Sequence, residues 1–407
     1  MRSVSQSLYI DAYGARALPI VVALGPVGLI ALICGYARLL SWLGPKRAMI
    51  ATSFFSAGVI LLCFDAIRGG IVGSTILALP LRLYYRSPAD LQCATPKVAT
   101  GVLYVFRESY IVLLVEQIWA FINSTVRTDE GRRLNGPICG VASLGAIAGG
   151  VIVSSCAVKL GSVNLLVLAA ASLLPTGLLA ALAYHIGGEP APPPEEAGGK
   201  RGHLGLGLLF RSRLLGTLAL LIAATQIVST LFDLQLSRYV EQAIQGKDQR
   251  TEWFGGFYAF VNVGSAVFQF VGAPLLLHYV SPIVLQLAIP VVHATMCAAS
   301  LAHPSLLIVA APLYVFKVLD YSVFRASKEL LYIPLSFDAR YRAKELIDAF
   351  AYRAAKGGTG VVLAVASGLK SLPLAAYSTT ALAILVGWLA LVIRLASAWR
   401  AQSVRRE

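Results

Sequence analysis

Residues 304–328, PSLLIVAAPLYVFKVLDYSVFRASK, are long and apolar enough to cross a membrane, yet they carry Lys317, Asp320, Arg325 and Lys328. A span needs about 20 mostly apolar residues. A charge at mid-membrane costs about 2.5–3.5 kcal/mol on insertion scales, so such residues face a polar interior and mark a substrate or ion path. Lys317, Asp320, Tyr321, Phe324 and Lys328 recur at helical spacing and share one stripe. Lys317 and Asp320 read first as an internal ion pair, whereas Lys328 reads as functional. The charges persist through 327–360, SKELLYIPLSFDARYRAKELIDAFAYRAAKGGTG, where Asp348, Tyr352 and Lys356 step by four.

The rest of the chain agrees with a membrane setting. Of its 407 residues 57% are hydrophobic and 13% charged, against about 25% charged in soluble domains. Apolar runs at 17–40, 48–67, 98–126, 135–157, 162–185, 213–238, 253–279, 282–302, 304–325, 346–369 and 372–395 predict eleven spans. Alternation with period two is absent, which argues against a barrel and for an all-α membrane protein. The partner implied is the lipid bilayer.

The net charge of +14 invites a nucleic-acid reading, but the cations alternate between loops. Sixteen lie on one side, among them Arg38, Arg132, Lys200, Arg342 and Arg405, and ten on the other, among them Arg16, Lys97, Lys159 and Lys247. This is the positive-inside pattern, and it places the 186–212 segment and the C-terminus in the cytoplasm. Residues 68–97 read as a long loop. No nucleic-acid partner is expected.

The six cysteines form no C-x-x-C pair and the five histidines no ligand spacing, so neither a metal nor a cofactor is expected. No nucleophile–base constellation appears, so the chain does not read as an enzyme. Neither Gly198-Gly199-Lys200-Arg201 nor Lys356-Gly357-Gly358 matches the G-K-[ST] ending of a phosphate-binding loop, which argues against an ATP-hydrolysing pump. Gly136, Gly140, Gly145, Gly149 and Gly150 have the small-xxx-small spacing of close helix packing.

Residues 186–204, IGGEPAPPPEEAGGKRGHL, have linker composition. They divide an N-terminal half, 1–185, from a C-terminal half, 213–407, with the linker taken as 186–212. The first half holds five full spans and the second six. Residues 2–10, RSVSQSLYI, read either as the late part of a first helix whose start is missing or as a short polar N-terminus before an odd number of spans. Within 98–126, Ser109, Glu116 and Asn123 repeat every seven residues and are expected to face the bundle interior.

The 327–360 stretch resembles the non-mitochondrial ATP/ADP translocase family of plastids and intracellular bacteria. That family carries T-K-E-M-A-Y-I-P-L-D, then K-x-K-G-K-x-x-I-D, then R-L-G-K-S-G-G. Ser327, Lys328, Glu329, Tyr332, Ile333, Pro334 and Leu335 fit the first run, Arg342, Lys344, Ile347 and Asp348 the second, and Arg353, Lys356 and Gly358 the third, without a gap. VLLVEQIWAFINSTV (112–126) is similar to the family's A-E-x-W-x-S segment and sets Glu116 and Trp119 on its acidic and aromatic positions. TEWFGGFYAF (251–260) is similar to N-E-Y followed by F-x-G and sets Glu252 on a second acidic position. The family's first helix carries R-D-x-K-D-T-L; Arg2 fits, but Ser5 stands where Lys is expected.

The resemblance implies a major-facilitator-like bundle of two halves that exchanges nucleotides by alternating access; a bacterial inner membrane is the simplest setting, and the family also leaves a plastid envelope open. It implies that Lys328, helped by Arg353 and Lys356 with Asp348 nearby, binds phosphate oxygens, and that Glu116 and Glu252 are counter-charges. Trp119, Asn123, Lys317, Asp320, Tyr321 and Glu329 are candidate lining residues. Ser5 in place of Lys leaves open a carrier of another anionic metabolite, and the short first half a non-transporting scaffold or sensor.

Overall fold

Apolar runs in hydrocarbon can satisfy their backbone polar groups only internally, as helices or closed barrels. In a computed structural model of the chain, residues 1–85, 87–125, 128–188, 213–332, 351–369 and 372–403 are described, and every regular element among them is helical. For 123–125, 128–137, 139, 213–214, 329–332, 369 and 398–403 the description is of the backbone alone.

Nine described helices are long and apolar enough to span a membrane. The first, Ala15–Ile67, is 53 residues long and absorbs two of the expected runs. Its helix α2 (Leu18–Ile67) breaks at Gly44, which takes φ 74° ahead of Pro45. That left-handed conformation suits glycine, and Pro45 cannot donate a helical hydrogen bond. The element therefore supplies two spans. The run at 346–369 appears as α13 (Tyr352–Leu369).

Ahead of α2 lies α1 (Arg2–Tyr13), a helix of polar sequence with Ser3 to Ile10 all buried. It packs against α4 (Pro88–Thr125). Val4 and Leu8 share a core with Leu103, Tyr110 and Leu114 of α4. Gly14, at φ 78°, turns the chain, and the Tyr9 hydroxyl donates to the Ala17 carbonyl at 3.2 Å.

Residues 68–97 are not the loop expected. They contain α3 (Ile71–Leu81) and the first turns of α4. An 11-residue helix reaches only ~16 Å, too short to cross. Its N-terminus is satisfied from the preceding helix: the Gly73 N–H donates to Asp65 Oδ2 at 2.7 Å. The apolar run IVGSTILALPL is shorter than a span, so reading by span length passed over it.

The remaining helices are α5 (Thr128–Leu160), α6 (Leu165–Gly187), α7 (Arg213–Ala243), α8 (Lys247–Val267), α9 (Ala273–Tyr279), α10 (Pro282–Ala302), α11 (Leu306–Leu319), α12 (Arg325–Tyr332) and α14 (Leu374–Ser403). Phe268–Gly272 and Asp320–Phe324 are π-helical. The expected linker lies outside the described residues from 189 onward.

The chain forms two compact units: Met1–Gly199 with Ile244–Ala259, and Lys200–Ala243 with Phe260–Glu407. In the first, α2 packs on α4 and α6. The glycine stripe of α5 is only partly a packing surface. A Cβ on Gly145 or Gly149 would meet open space, whereas one on Gly150 would come 2.8 Å from Ala259 Cβ. The stripe spans more than one side of the helix, and one edge is covered.

In the second unit α7 is flanked by α11, α13 and α14, and α10 packs on α14. Its interior is partly polar. Gln235 and Ser378 exchange hydrogen bonds, Nε2 to Oγ at 2.7 Å and Oγ to Oε1 at 2.9 Å. Cys297 Sγ donates to the Ser378 carbonyl at 3.3 Å, and the Ser300 hydroxyl lies 3.3 Å from that of Ser378. Ser378→Val would strand the buried Gln235 amide. A loss of about 1–2 kcal/mol is expected, read as a lower unfolding temperature of the purified protein in detergent. An unchanged temperature would remove the network from the account of stability.

Candidate functional site

The charged stripe read from the sequence runs through α11, the π-helical turn and α12. A π turn inserts one residue into the helical register and is enriched at functional sites. Here it packs against the other π-helical segment, Phe268–Gly272. Lys317, Phe324 and Lys328 are buried, and Asp320 and Tyr321 are half-buried. The stripe thus faces the interior of the second unit.

Each lysine is held differently. Lys317 Nζ donates to Ser229 Oγ on α7 at 3.0 Å and lies 5.6 and 5.5 Å from the ring centres of Phe316 and Tyr321. A desolvated ammonium over two aromatic faces gains cation–π attraction. Asp320 is within electrostatic reach of Lys317, Arg325 and Lys328. Next to Lys328, Ser327 accepts a hydrogen bond from Gln286 Nε2 at 2.8 Å and donates to the Phe324 carbonyl at 3.1 Å. This pair pins the start of α12 to α10 and fixes the backbone that carries Lys328.

A second source of cations is α13, with Arg353 and Lys356 half-buried. Both α11 and α13 lie against α7, whose Thr225, Gln226, Ser229 and Thr230 are buried polar residues. One polar helix is thereby flanked by two cationic ones. Asp348 lies outside the described residues, and the Glu329 side chain is not described.

The first unit holds the two carboxylates singled out by the sequence. Glu116 on α4 and Glu252 on α8 are exposed, and Trp119 is half-buried. The seven-residue stripe of α4 does not face the interior as a whole. Ser109 is buried, Glu116 is not, and the Asn123 side chain falls outside the description. The inward position belongs to Gln117, whose Oε1 accepts from Thr52 Oγ1 at 3.0 Å. A neutral amide can be buried against a hydroxyl, whereas a carboxylate there would need a cation.

Sequence reasoning missed Arg107 and Glu108 in the same helix. Arg107 is 3% exposed. Its Nη1 is 2.9 Å from Glu108 Oε1, and its guanidinium lies 4.5 Å from the Tyr104 ring centre. A charged pair inside a run of span length was the available signal.

Residues 203–399, just under half of the chain, match the model of a family described as the TLC ATP/ADP transporter. The matched segment includes Lys317, Lys328, Arg353 and Lys356. No curated protein matches the chain. Among solved structures, a bacterial homologue of the iron transporter ferroportin, crystallised in an inward-facing state, is similar with a TM-score of 0.66 at 12% identity, over 97% of this chain and 96% of that one. A bacterial metal transporter is similar with a TM-score of 0.58 at 12% identity, over 97% and 95%. At such identity the likeness is one of fold, and the fold is the major-facilitator-like one.

Proposed function

We propose that the chain is a multi-pass membrane carrier that exchanges ATP and ADP by alternating access, a reading that rests on the match of residues 203–399 to the TLC ATP/ADP transporter model. The family match carries this reading. The burial of Lys328 within a span supports it, because an intramembrane cation is retained where it has an anion to meet.

Lys328, Arg353 and Lys356 take phosphate oxygens through charge-assisted hydrogen bonds, the guanidinium in bidentate fashion. Asp348, which lies outside the described residues, is assigned to the same substrate site on the family motif alone. Lys317, already bound to Ser229, braces α11 against α7. Glu116 and Glu252 are the counter-charges of the empty carrier. Trp119 and Tyr321 offer faces on which an adenine can stack. Exchange rather than net flux follows from the cost of moving an uncompensated charge set through a low-dielectric interior. Residues 1–185 and 213–407 are the two halves of the sequence, with Ile244–Ala259 of the second belonging to the first compact unit, and the 186–212 segment and the C-terminus are cytoplasmic in a bacterial inner membrane.

The test is uptake of labelled ATP and ADP by intact bacterial cells expressing the chain. Saturable uptake that external unlabelled nucleotide chases out is expected. Absence of uptake with the protein present in the membrane would reject the nucleotide reading. Competition of any uptake by other anions would then identify a different metabolite.

A further inference from the structure

The N-terminal helix is an unusual object for a membrane interior. Ser3, Ser5, Gln6 and Ser7 are all buried in it. The Ser7 hydroxyl has no hydrogen-bond partner among the described residues, and Ser5 Oγ donates only locally, to the Arg2 carbonyl at 3.2 Å. A buried polar helix is stable where it borders something polar. On the facing helix α4, Leu103, Tyr110 and Leu114 pack in the same core as Val4 and Leu8 of α1. Arg107 follows Leu103 by four residues and precedes Tyr110 by three, so it lies on the same face of α4. Tyr104, over which the guanidinium rests, has its ring centre 5.4 Å from that of Tyr9 in α1. Arg107 is also within electrostatic reach of the chain's first residue.

The charge of Arg107 is incompletely answered. Its carboxylate partner is the adjacent residue, and neighbours in a helix do not face each other, so Glu108 approaches from the side, its Oε1 2.9 Å from Nη1. Nε is buried with no partner among the described residues. The Nε edge of a guanidinium is the edge that grips a phosphate with two parallel N–H donors. Close by along α1, Arg2 lies 4.4 Å from the ring centre of Tyr258, whose hydroxyl donates to Gln6 Oε1 at 3.4 Å. The first unit therefore contributes two guanidinium groups and a set of buried hydroxyl and amide groups around one polar helix.

We propose that Arg107 is a phosphate-binding residue within the first unit, gripping a phosphate group through its Nε edge against the polar face of α1. This rests on the nucleotide reading and extends it to the first unit. It also accounts for Ser5, where the family resemblance sets a lysine: the cation is supplied from the neighbouring helix.

Binding by the purified full chain in a neutral detergent tests it, with ATP, AMP and inorganic pyrophosphate as probes. Arg107→Gln is expected to weaken ATP and pyrophosphate about 10–100-fold and AMP less. Arg107→Lys, which keeps the charge and loses the fork, is expected to fall between. It decides the matter if the Gln variant does not fold. Ser5→Lys placed on Arg107→Gln is expected to restore ATP binding to within about tenfold of the parent. Glu108→Gln separates binding from mere bracing: a structural pair would make it behave like Arg107→Gln, whereas a phosphate-binding Arg107 leaves ATP affinity at or above the parent value. ATP bound equally by the parent and both Arg107 variants would overturn the proposal and leave the nucleotide reading standing. Pyrophosphate lost in Arg107→Gln, with no nucleotide bound by the parent, would support the anion site and reject the nucleotide reading. No binding of any of the three by the parent would overturn both.

Discussion

Lys328→Ala is expected to lower ATP and ADP exchange at sub-saturating nucleotide by about 10–100-fold, the range that a hydrogen bond between charged groups contributes. Lys328 is buried on α12, behind a backbone fixed by the Gln286–Ser327–Phe324 bonds. The side chain starts from a determined place, and little conformational freedom remains to be lost when phosphate arrives. Lys317 is the control. It is as well buried, and its ammonium donates to Ser229 and rests over two rings, contacts that brace α11 against α7. Lys317→Met should therefore lower the unfolding temperature while the KM of the surviving protein changes by less than about threefold. Two lysines on one stripe would thus separate by readout, one in affinity and one in stability. If Lys328→Ala keeps its affinity while Lys317→Met loses it, the assignments are exchanged. If neither changes affinity, the cations of α13, Arg353 and Lys356, carry the phosphate without help from the stripe.

Span content was legible because backbone satisfaction in lipid leaves helices as the option once period two is absent, and eleven apolar runs have helical counterparts. The inward face of 317–328 was also legible, since charge cannot be placed toward lipid and helical spacing fixes which residues share a side. The same logic failed for Glu116. Two adjacent polar residues, Glu116 and Gln117, point to different sides of α4, and periodicity alone does not say which side is inside. The hydrogen bond to Thr52 decides for Gln117, and it comes from a residue 65 positions away. The helix α3 was hidden because 11 apolar residues are too few to register as a span, whereas a helix over residues 2–10 was one of two readings and α1 covers it; the polar composition of α1 gave no sign that Ser3 to Ile10 are all buried. The π turns depend on packing between two distant segments, which no local pattern encodes. The candidate site was legible in residue types and family motif. Its supports, Ser229, Gln286 and Ser327, were not, because a buried serine or glutamine acquires meaning only from its partner.

Gly150→Val and Gly255→Val are the substitutions expected to damage the first unit most. A Cβ on Gly150 would lie 2.8 Å from Ala259 Cβ and 2.9 Å from Ala259 Cα; one on Gly255 would lie 2.8 Å from the Ser154 amide nitrogen and 3.2 Å from the Gly150 carbonyl oxygen. The obstacles are largely backbone, so no rotamer change relieves them. Gly150 and Ser154 on α5, and Gly255 and Ala259 on α8, are each spaced by four. Two small-residue ridges thus meet, as in close helix pairs within membranes. The contact is tied at its end by polar bonds. The Ser162 N–H donates to Asp248 Oδ1 at 2.7 Å, and Ser162 Oγ donates to Thr251 Oγ1 at 2.7 Å. Overpacking of this kind costs about 1–3 kcal/mol, and more where backbone must move. Lower yields of folded protein and a lower unfolding temperature in detergent should follow. Gly145→Val and Gly149→Val are the matched controls on the same helix, because a Cβ at either meets nothing within 4 Å. Equal tolerance of all four would mean that α5 and α8 do not pack in the purified protein. Loss confined to Gly150 and Gly255 would establish the contact. Exchange measured on the folded fraction then gives it a function: if α5 and α8 must separate and rejoin in each cycle, the variants that weaken their packing should slow transport even at temperatures where they remain folded, while Asp248→Asn, which weakens only the polar tie, should act in the same direction and less strongly.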